Sequence, residues 1–277
     1  MSTITATQFD LLRDLVLKES AIVLEPGKEY LVESRLAPIA RREGLASVSE
    51  LVQKLMTAGT TKMKSEVIDA MTTNETSFFR DVHPWQTLRE EILPKVIEAR
   101  RLDRRLTVWC AACSSGQEPY SLAMLLRDAF PEIVASWDVK IVATDLSDSM
   151  IYRCREGMYS QLEVNRGLPA PMLIRNFQRE GADWRIDNEL RRMVDVRTCN
   201  LSAPATYPRA AAKFDLVFIR NVLIYFDDAM KTKILNEIVT RMQSNSYLLL
   251  GSSEVSISSA TKLVRHQFGR TIYFQPV

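Results

Sequence analysis

Residues 106–121 read LTVWCAACSSGQEPYS, and Glu118 is their one charged side chain. Leu106, Val108, Trp109 and Ala111 form an apolar run that predicts a buried strand. Small residues follow in a turn, Cys113-Ser114-Ser115-Gly116, and a helix-forming segment opens at Gln117 with Glu118 in its first turn. In open α/β sheets a strand, a tight turn and a helix N-terminus make a nucleotide pocket. Only Gly116 is present where a pyrophosphate cradle has G-x-G-x-x-G, which argues against a dinucleotide. A carboxylate where phosphate oxygens would lie calls for a ligand with a positive group. S-adenosylmethionine (SAM), with a cationic amino group and a sulfonium, is such a ligand. An ordinary α/β turn in which Glu118 stabilises the helix N-terminus fits the same residues.

Three further segments carry polar groups at telling places. Asp145 ends the apolar stretch of IVATDLS, where an acidic side chain can accept from two ribose hydroxyls. It equally suits an N-cap for a helix from Ser147. TTNETSFFRD (72–81) crowds Asn74, Thr76 and Ser77 beside Phe78, Phe79 and Arg80. It reads as a capped helix start with an aromatic anchor or as a polar lid over a ligand. FIRNVLIYF (218–226) puts Arg220, Asn221 and Tyr225 at the carboxyl end of an apolar strand, and Asn200-Leu201 follows a shorter one.

These residues need a scaffold, and the rest of the chain predicts one. Residues 1–100 have helical periodicity, with Thr7 as a cap and Phe9, Leu12, Leu15 and Val16 on one face. Pro26-Gly27 is a turn. Leu31, Leu36, Ile39 and Ala40 point inward, with Arg35, Arg41 and Arg42 outward, Pro38 bending or restarting the helix and Gly44 capping it. Ser47 or Ser49 opens a third helix and Lys62–Met71 forms a fourth. Strands then fit 139–145, 214–226, 246–254 and 271–277, with helices at 117–130, 148–156 and 228–243. This alternation predicts an α/β fold with a mainly parallel sheet. The rhythm breaks between Gly157 and Asn200, where Gly167, Gly181 and Trp184-Arg185-Ile186 suggest an inserted, partly β subdomain. The expected boundaries are 1–86 for the helical domain and linker, 87–277 for the α/β domain and 158–198 for the insert.

Composition bounds the function classes. The chain has 277 residues, 46% hydrophobic and 25% charged, with a net charge of +2. That balance gives no nucleic-acid or membrane signature. No apolar run reaches the ~18 residues that span a bilayer. The amino terminus has no basic region before an apolar one, so a cytoplasmic location is expected. Cys110 and Cys113 have C-x-x-C spacing but straddle a strand end, and no second pair or nearby His completes a metal site. No metal cofactor is expected.

Together TNETSFFRD, WCAACSSGQEPYS, ATDLS, CNL and FIRNVLIYFD, in that order, make the chain resemble the CheR family, the bacterial chemoreceptor glutamate methyltransferases. The resemblance implies a class I, Rossmann-like SAM-methyltransferase domain with an N-terminal helical domain and an inserted β-subdomain. It implies that Asn74, Thr76 and Arg80 reach the cofactor, that Glu118 meets its amino group and Asp145 its ribose, and that Asn200, Leu201, Arg220 and Asn221 surround the adenosine. Arg80 and Tyr225 would lie nearest the transferred methyl. The family's usual text is S-T-G-E-E-P-Y-S; here Ser115 replaces Thr and Gln117 the first Glu, with Glu118 retained.

The implied reaction methylates glutamates on the helical cytoplasmic coiled coils of chemoreceptors for sensory adaptation, leaving S-adenosylhomocysteine. A carboxylate nucleophile needs no base, which agrees with motifs free of histidine; His83 and His266 are the only two in the chain. Arg80 is assigned orientation of cofactor and substrate. Arg35, Arg41 and Arg42, with Lys54, Lys62 and Lys64, make a candidate basic face for the receptor; a solvated helical face fits them too. Some family members tether to a receptor's C-terminal pentapeptide through a longer, glycine-rich loop. The stretch 177–184 here is compact, so no tether is expected, and a monomer is. The competing readings are a SAM methyltransferase with another acceptor and a non-catalytic SAM-binding regulator.

Overall fold

The computed structural model describes residues 4–209 and 213–277. They separate into two units: residues up to Thr73 with Tyr225–Asp227, and Asn74–Ile224 with Asp228–Val277. The division falls at Thr73/Asn74 and not at residue 86. Its cause is the segment after Thr73. Asn74 accepts a hydrogen bond from Ser114 Oγ at 2.8 Å, and Phe79 N–H donates to Ser121 Oγ at 2.9 Å. Phe78 is fully buried in the α/β core. The segment is neither a helix start nor loose: it is irregular backbone anchored by an aromatic ring.

The helical unit holds α1 (Ala6–Ser20), α2 (Glu29–Arg42), α3 (Val48–Ala58) and α4 (Thr61–Met71). Thr5, not Thr7, caps α1, because Gln8 stands three residues on and closes a reciprocal capping box. Pro38 lies inside an unbroken α2. Glu43 is the C-cap of that helix, and Gly44 takes the left-handed conformation one residue later. Ser47 caps α3. The core is built from Phe9, Leu12, Val16, Val32, Leu36, Leu51, Leu55 and Val67. Val32, not Leu31, faces inward on α2.

The α/β unit has a sheet of seven strands among the described residues. They are β1 (Arg105–Ala111), β2 (Asp138–Asp145), β6 (Val194–Thr198), β7 (Phe214–Ile219), β8 (Met242–Leu250), β9 (Leu263–Phe268) and β10 (Thr271–Pro276). Their order is β6-β2-β1-β7-β8-β10-β9. The first five run parallel, while β10 is antiparallel to both β8 and β9. Strand order reverses beside β1, which puts a crevice beyond the carboxyl ends of β1 and its neighbours. The helices Gln117–Ala129, Asp148–Glu156 and Asp228–Val239 supply crossovers.

The third strand stops at Ile219, so Arg220–Tyr225 is a loop with a short 3-10 turn and not the strand's second half. The fourth runs from Met242 to Leu250, earlier than its apolar residues suggest. Strands β6 and β9 lie at the two edges of the sheet, with too few apolar positions to announce themselves.

The insert is a three-stranded sheet, ordered β3 (Met158–Tyr159), β5 (Asp183–Ile186) and β4 (Phe177–Glu180). Because β6 pairs with β2 in the main sheet, the insert ends before Val194 and not at residue 198. It is seated by aromatic edges: Phe78 lies 5.0 Å from Tyr159 and 5.6 Å from Phe177, centroid to centroid. Ile186 is buried with them, whereas Trp184 is only half-buried and donates to Gln161.

Candidate active site

The turn after β1 is built from left-handed residues. Ala112, Ser114 and Gly116 have φ of 63°, 50° and 101°. Only glycine fits the last. A Cβ there would stand 2.7 Å from Cys154 Sγ and 2.9 Å from the Tyr159 hydroxyl oxygen. Tyr159 also donates to Ser115 O at 2.8 Å. The turn exposes the amino end of helix Gln117–Ala129 and sets Glu118 in its first turn.

Asp145, at the end of β2, ties this turn to the next loop. Its carboxylate accepts from Ser114 N–H at 2.8 Å and from Ser147 N–H at 3.0 Å, and its carbonyl accepts from Cys199 N–H at 2.8 Å. Ser147, not Asp145, caps the helix Asp148–Glu156. Asn200 and Leu201 follow Cys199. Asn200 Oδ1 accepts from Ser202 N–H at 2.9 Å, and buried Leu201 offers its carbonyl to the Tyr207 hydroxyl at 2.7 Å.

Beyond β7 the organising group is Arg220, whose side chain is 2% exposed. One guanidinium nitrogen meets Glu118 Oε2 at 2.9 Å. The other meets Asp81 Oδ2 at 2.9 Å and the Arg80 carbonyl at 3.1 Å. Arg220, expected around an adenosine, bridges two carboxylates of the chain. Burial pushes the Glu118 carboxyl above the ordinary range, and Arg220 pulls the other way. Glu118 Oε1 has no hydrogen-bond partner among the described residues, and Arg220 Nε is buried without one.

Asn221 follows with φ of 59°. Its backbone is gripped by Glu254, a buried carboxylate absent from the expected site. Glu254 accepts from Asn221 N–H at 2.6 Å, Gly251 N–H at 2.9 Å and Ile224 N–H at 3.3 Å. Arg80 reaches the carbonyl of Glu75 at 3.1 Å, and Glu75 pairs with Arg166 at 2.7 Å. Thr76 is half-buried in the same segment.

Hydrogen bonds hold these residues of the α/β unit in three sets: Asn74 and Asp145 meet at Ser114, Arg80 and Glu118 meet at Arg220, and Asn221 meets Glu254, while Asn200 and Leu201 follow β6. Tyr225 groups with the helical unit, where its carbonyl accepts from Val23 N–H at 3.0 Å. Arg35, Arg41 and Arg42 are also in that unit. Arg35 is not a free outward charge: it donates to Met71 O at 2.7 Å and Thr73 Oγ1 at 2.9 Å, closing the carboxyl end of α4. Arg42 pairs with Glu66, and Arg41 is exposed. All four cysteines are free and buried.

Four carboxylates (Asp81, Glu118, Asp145 and Glu254) and two guanidiniums (Arg80 and Arg220) meet here, an excess of negative charge that suits a cationic ligand. The Glu118 oxygen that Arg220 leaves unpaired fits an ammonium. Asp81, Ser114 and Glu254 were missed because their roles depend on partners far away in sequence.

Residues 74–272 match the family described as CheR methyltransferase, SAM binding domain, and residues 7–72 match CheR methyltransferase, all-alpha domain. Chemotaxis protein methyltransferase 1 of Pseudomonas aeruginosa is 42% identical over 250 residues, covering 89% of each chain. The chemotaxis protein methyltransferase of Vibrio parahaemolyticus is 40% identical over 241 residues, covering 85% of this chain and 84% of that one. That of Borreliella burgdorferi is 33% identical over 254 residues, covering 91% and 89%. With both domains matched in order, the chain belongs to the CheR methyltransferase family and carries out SAM-dependent methylation in chemotaxis.

Proposed function

We propose that the methyl acceptor is the ionised side chain of glutamates on the helical cytoplasmic part of chemoreceptors, so that the chain is a protein-glutamate O-methyltransferase. The observation that carries this reading is the similarity to chemotaxis methyltransferases over most of the chain, together with site residues that include no histidine to serve as a base. A glutamate ionises near pH ~4.3, so it arrives as a nucleophile and no residue has to remove a proton. SAM, when bound, supplies a methyl group on a cationic sulfur.

The chain's own residues then bind and orient. Glu118 Oε1 takes the ligand ammonium, held in place by Arg220, and Asp145 takes the ribose hydroxyls. Asn74, Thr76, Asn200, Leu201 and Asn221 line the remainder. Arg80 orients cofactor and acceptor, with Tyr225 as a second orienting group. Exposed Arg41, with Arg42 beside it, is the part of the basic face left for an acidic receptor helix; Arg35 is engaged at α4.

The insert supports a tether-free mode. Glu180 pairs with Asp183 across a two-residue turn, so no long loop is present there to clasp a peptide. Strand β4 is an edge strand, and peptide addition to it is the arrangement this reading forgoes. A cytoplasmic monomer completes the proposal. Among the described residues no helix is long and apolar enough to cross a membrane.

The test is transfer from radiolabelled SAM to receptor-containing membranes, read as alkali-labile methyl esters. Label in RNA or a small molecule would favour another acceptor, and SAM binding without transfer would favour a regulator. Arg80→Ala is expected to slow single-turnover transfer more than Tyr225→Phe. Near-normal transfer by Arg80→Ala would remove its proposed role.

A further inference from the structure

A second concentration of charge lies away from this site, on the amino-terminal half of β6. A cavity of about 530 Å³ is walled by Arg155, Arg191 and Arg192, with Tyr120, Asn188 and Asp195. That volume is within the range of small-molecule sites, roughly 300–1,000 Å³. Arg155 Nη2 donates to Val196 O at 2.8 Å. Arg191 donates to Arg155 O at 2.8 and 3.2 Å and to Asn188 Oδ1 at 3.2 Å. Every one of these acceptors is neutral.

Arg192 is exposed and makes no hydrogen bond or ion pair among the described residues. The one carboxylate in the wall, Asp195, is already occupied. Arg197 holds both its oxygens, at 3.2 and 2.6 Å, and Lys140 stands 3.4 Å from one of them. Three guanidiniums therefore share a cavity with no carboxylate of their own. Two are fixed by neutral groups, which orients the planar donors without cancelling their charge. Such an arrangement is repulsive when empty and favourable around an anion.

We infer that this cavity binds a phosphate-bearing small molecule, gripped by Arg155, Arg191 and Arg192. The site is separate from the methyl-transfer region, which lies beyond the carboxyl ends of the strands. The test is calorimetry of the full chain with pyrophosphate and, separately, with ATP, at about 0.15 M salt so that diffuse attraction is screened. The expected result is saturable one-site binding, by pyrophosphate alone if the ligand is inorganic and more tightly by ATP if it is organic. Arg192→Gln should weaken it about tenfold, the loss of one charged hydrogen-bonding group. Arg192→Glu should abolish it, and neither change should move S-adenosylhomocysteine affinity. Absence of saturable heat with both probes would overturn the assignment. So would unchanged binding by Arg192→Glu, or preference for an acidic peptide over both phosphates.

Discussion

The turn after β1 and the loop after β7 both carry site residues, yet different forces hold them. The β1 turn is shaped by its own backbone, with three left-handed residues between Ala112 and Gly116 and a glycine no other residue can replace. The β7 loop is shaped by charge from elsewhere. Arg220 is pinned by Glu118, 102 residues away, and by Asp81, 139 residues away; Asn221 is pinned by Glu254. A locally coded turn breaks when one Cβ is added. A loop held at long range breaks when a distant partner is lost.

The largest effect is expected at Gly116. In Gly116→Ala the φ of 101° and the contacts at 2.7 and 2.9 Å act together. Strain at such a backbone position costs roughly 1–3 kcal/mol and overpacking a similar amount. Denaturant unfolding should report a loss of about 2–4 kcal/mol, with S-adenosylhomocysteine binding falling in parallel. A loss near zero would mean that the turn relaxes easily and that the contrast with the β7 loop is wrong.

Asp145 belongs to both regimes, since it accepts from Ser114 and Ser147 backbone and is proposed to hold the ribose. Asp145→Ala should reduce S-adenosylhomocysteine affinity by roughly five- to a hundredfold, the range for losing one or more buried hydrogen bonds worth 1–3 kcal/mol. Unchanged affinity in calorimetry would detach Asp145 from the ligand and leave it a purely structural link.

The same contrast explains what could be read from the chain before its structure. The places of Asp145 and Asn221 at or just past an apolar strand's end, and of Glu118 in the first turn of the helix that follows one, were legible because each signal is contained in a few neighbouring residues. Glu254 was not. Its residues, GSSE, look like the tail of a strand, and only folding carries its carboxylate to three backbone N–H groups. The division into a helical and an α/β part was legible as helical and alternating periods. Strands β6 and β9 were not, because edge strands such as VDVRT bury only alternate side chains or fewer. Arg35 looked like surface charge because a helix period cannot say that a guanidinium will close the end of α4.

Glu254→Gln probes the long-range side of the comparison. Both Asn221 and Gly251 donate to the same carboxylate oxygen, Oε2. An amide either turns an N–H2 toward those donors or offers them a weaker, uncharged oxygen. One charged hydrogen bond lost costs about 1.5–3 kcal/mol, so affinity for S-adenosylhomocysteine should fall about tenfold. Glu254→Ala should fall further. If Glu254→Gln loses stability but no affinity, the loop is braced by Glu254 without presenting Asn221 to the ligand.

The smallest effect is a pH slope at Glu118, and its sign separates fold from ligand. Burial raises the folded-state pKa of this carboxyl above its ordinary value near 4.5, with Arg220 opposing. The folded chain therefore favours the neutral acid. The stability contribution of this group is present below the unfolded pKa and is lost as pH rises through the raised folded value. A ligand ammonium favours the opposite, ionised form. Acidification through the raised pKa should thus weaken S-adenosylhomocysteine binding while relieving the folding penalty at this one group. One proton limits the change in affinity to at most about tenfold per pH unit. Glu118→Gln keeps an acceptor for Arg220 but cannot ionise, so it should bind more weakly at neutral pH with a flatter profile. Calorimetry at a series of pH values decides it: a mutant profile parallel to that of the unaltered chain would assign the slope to another group and leave the ammonium without its proposed partner.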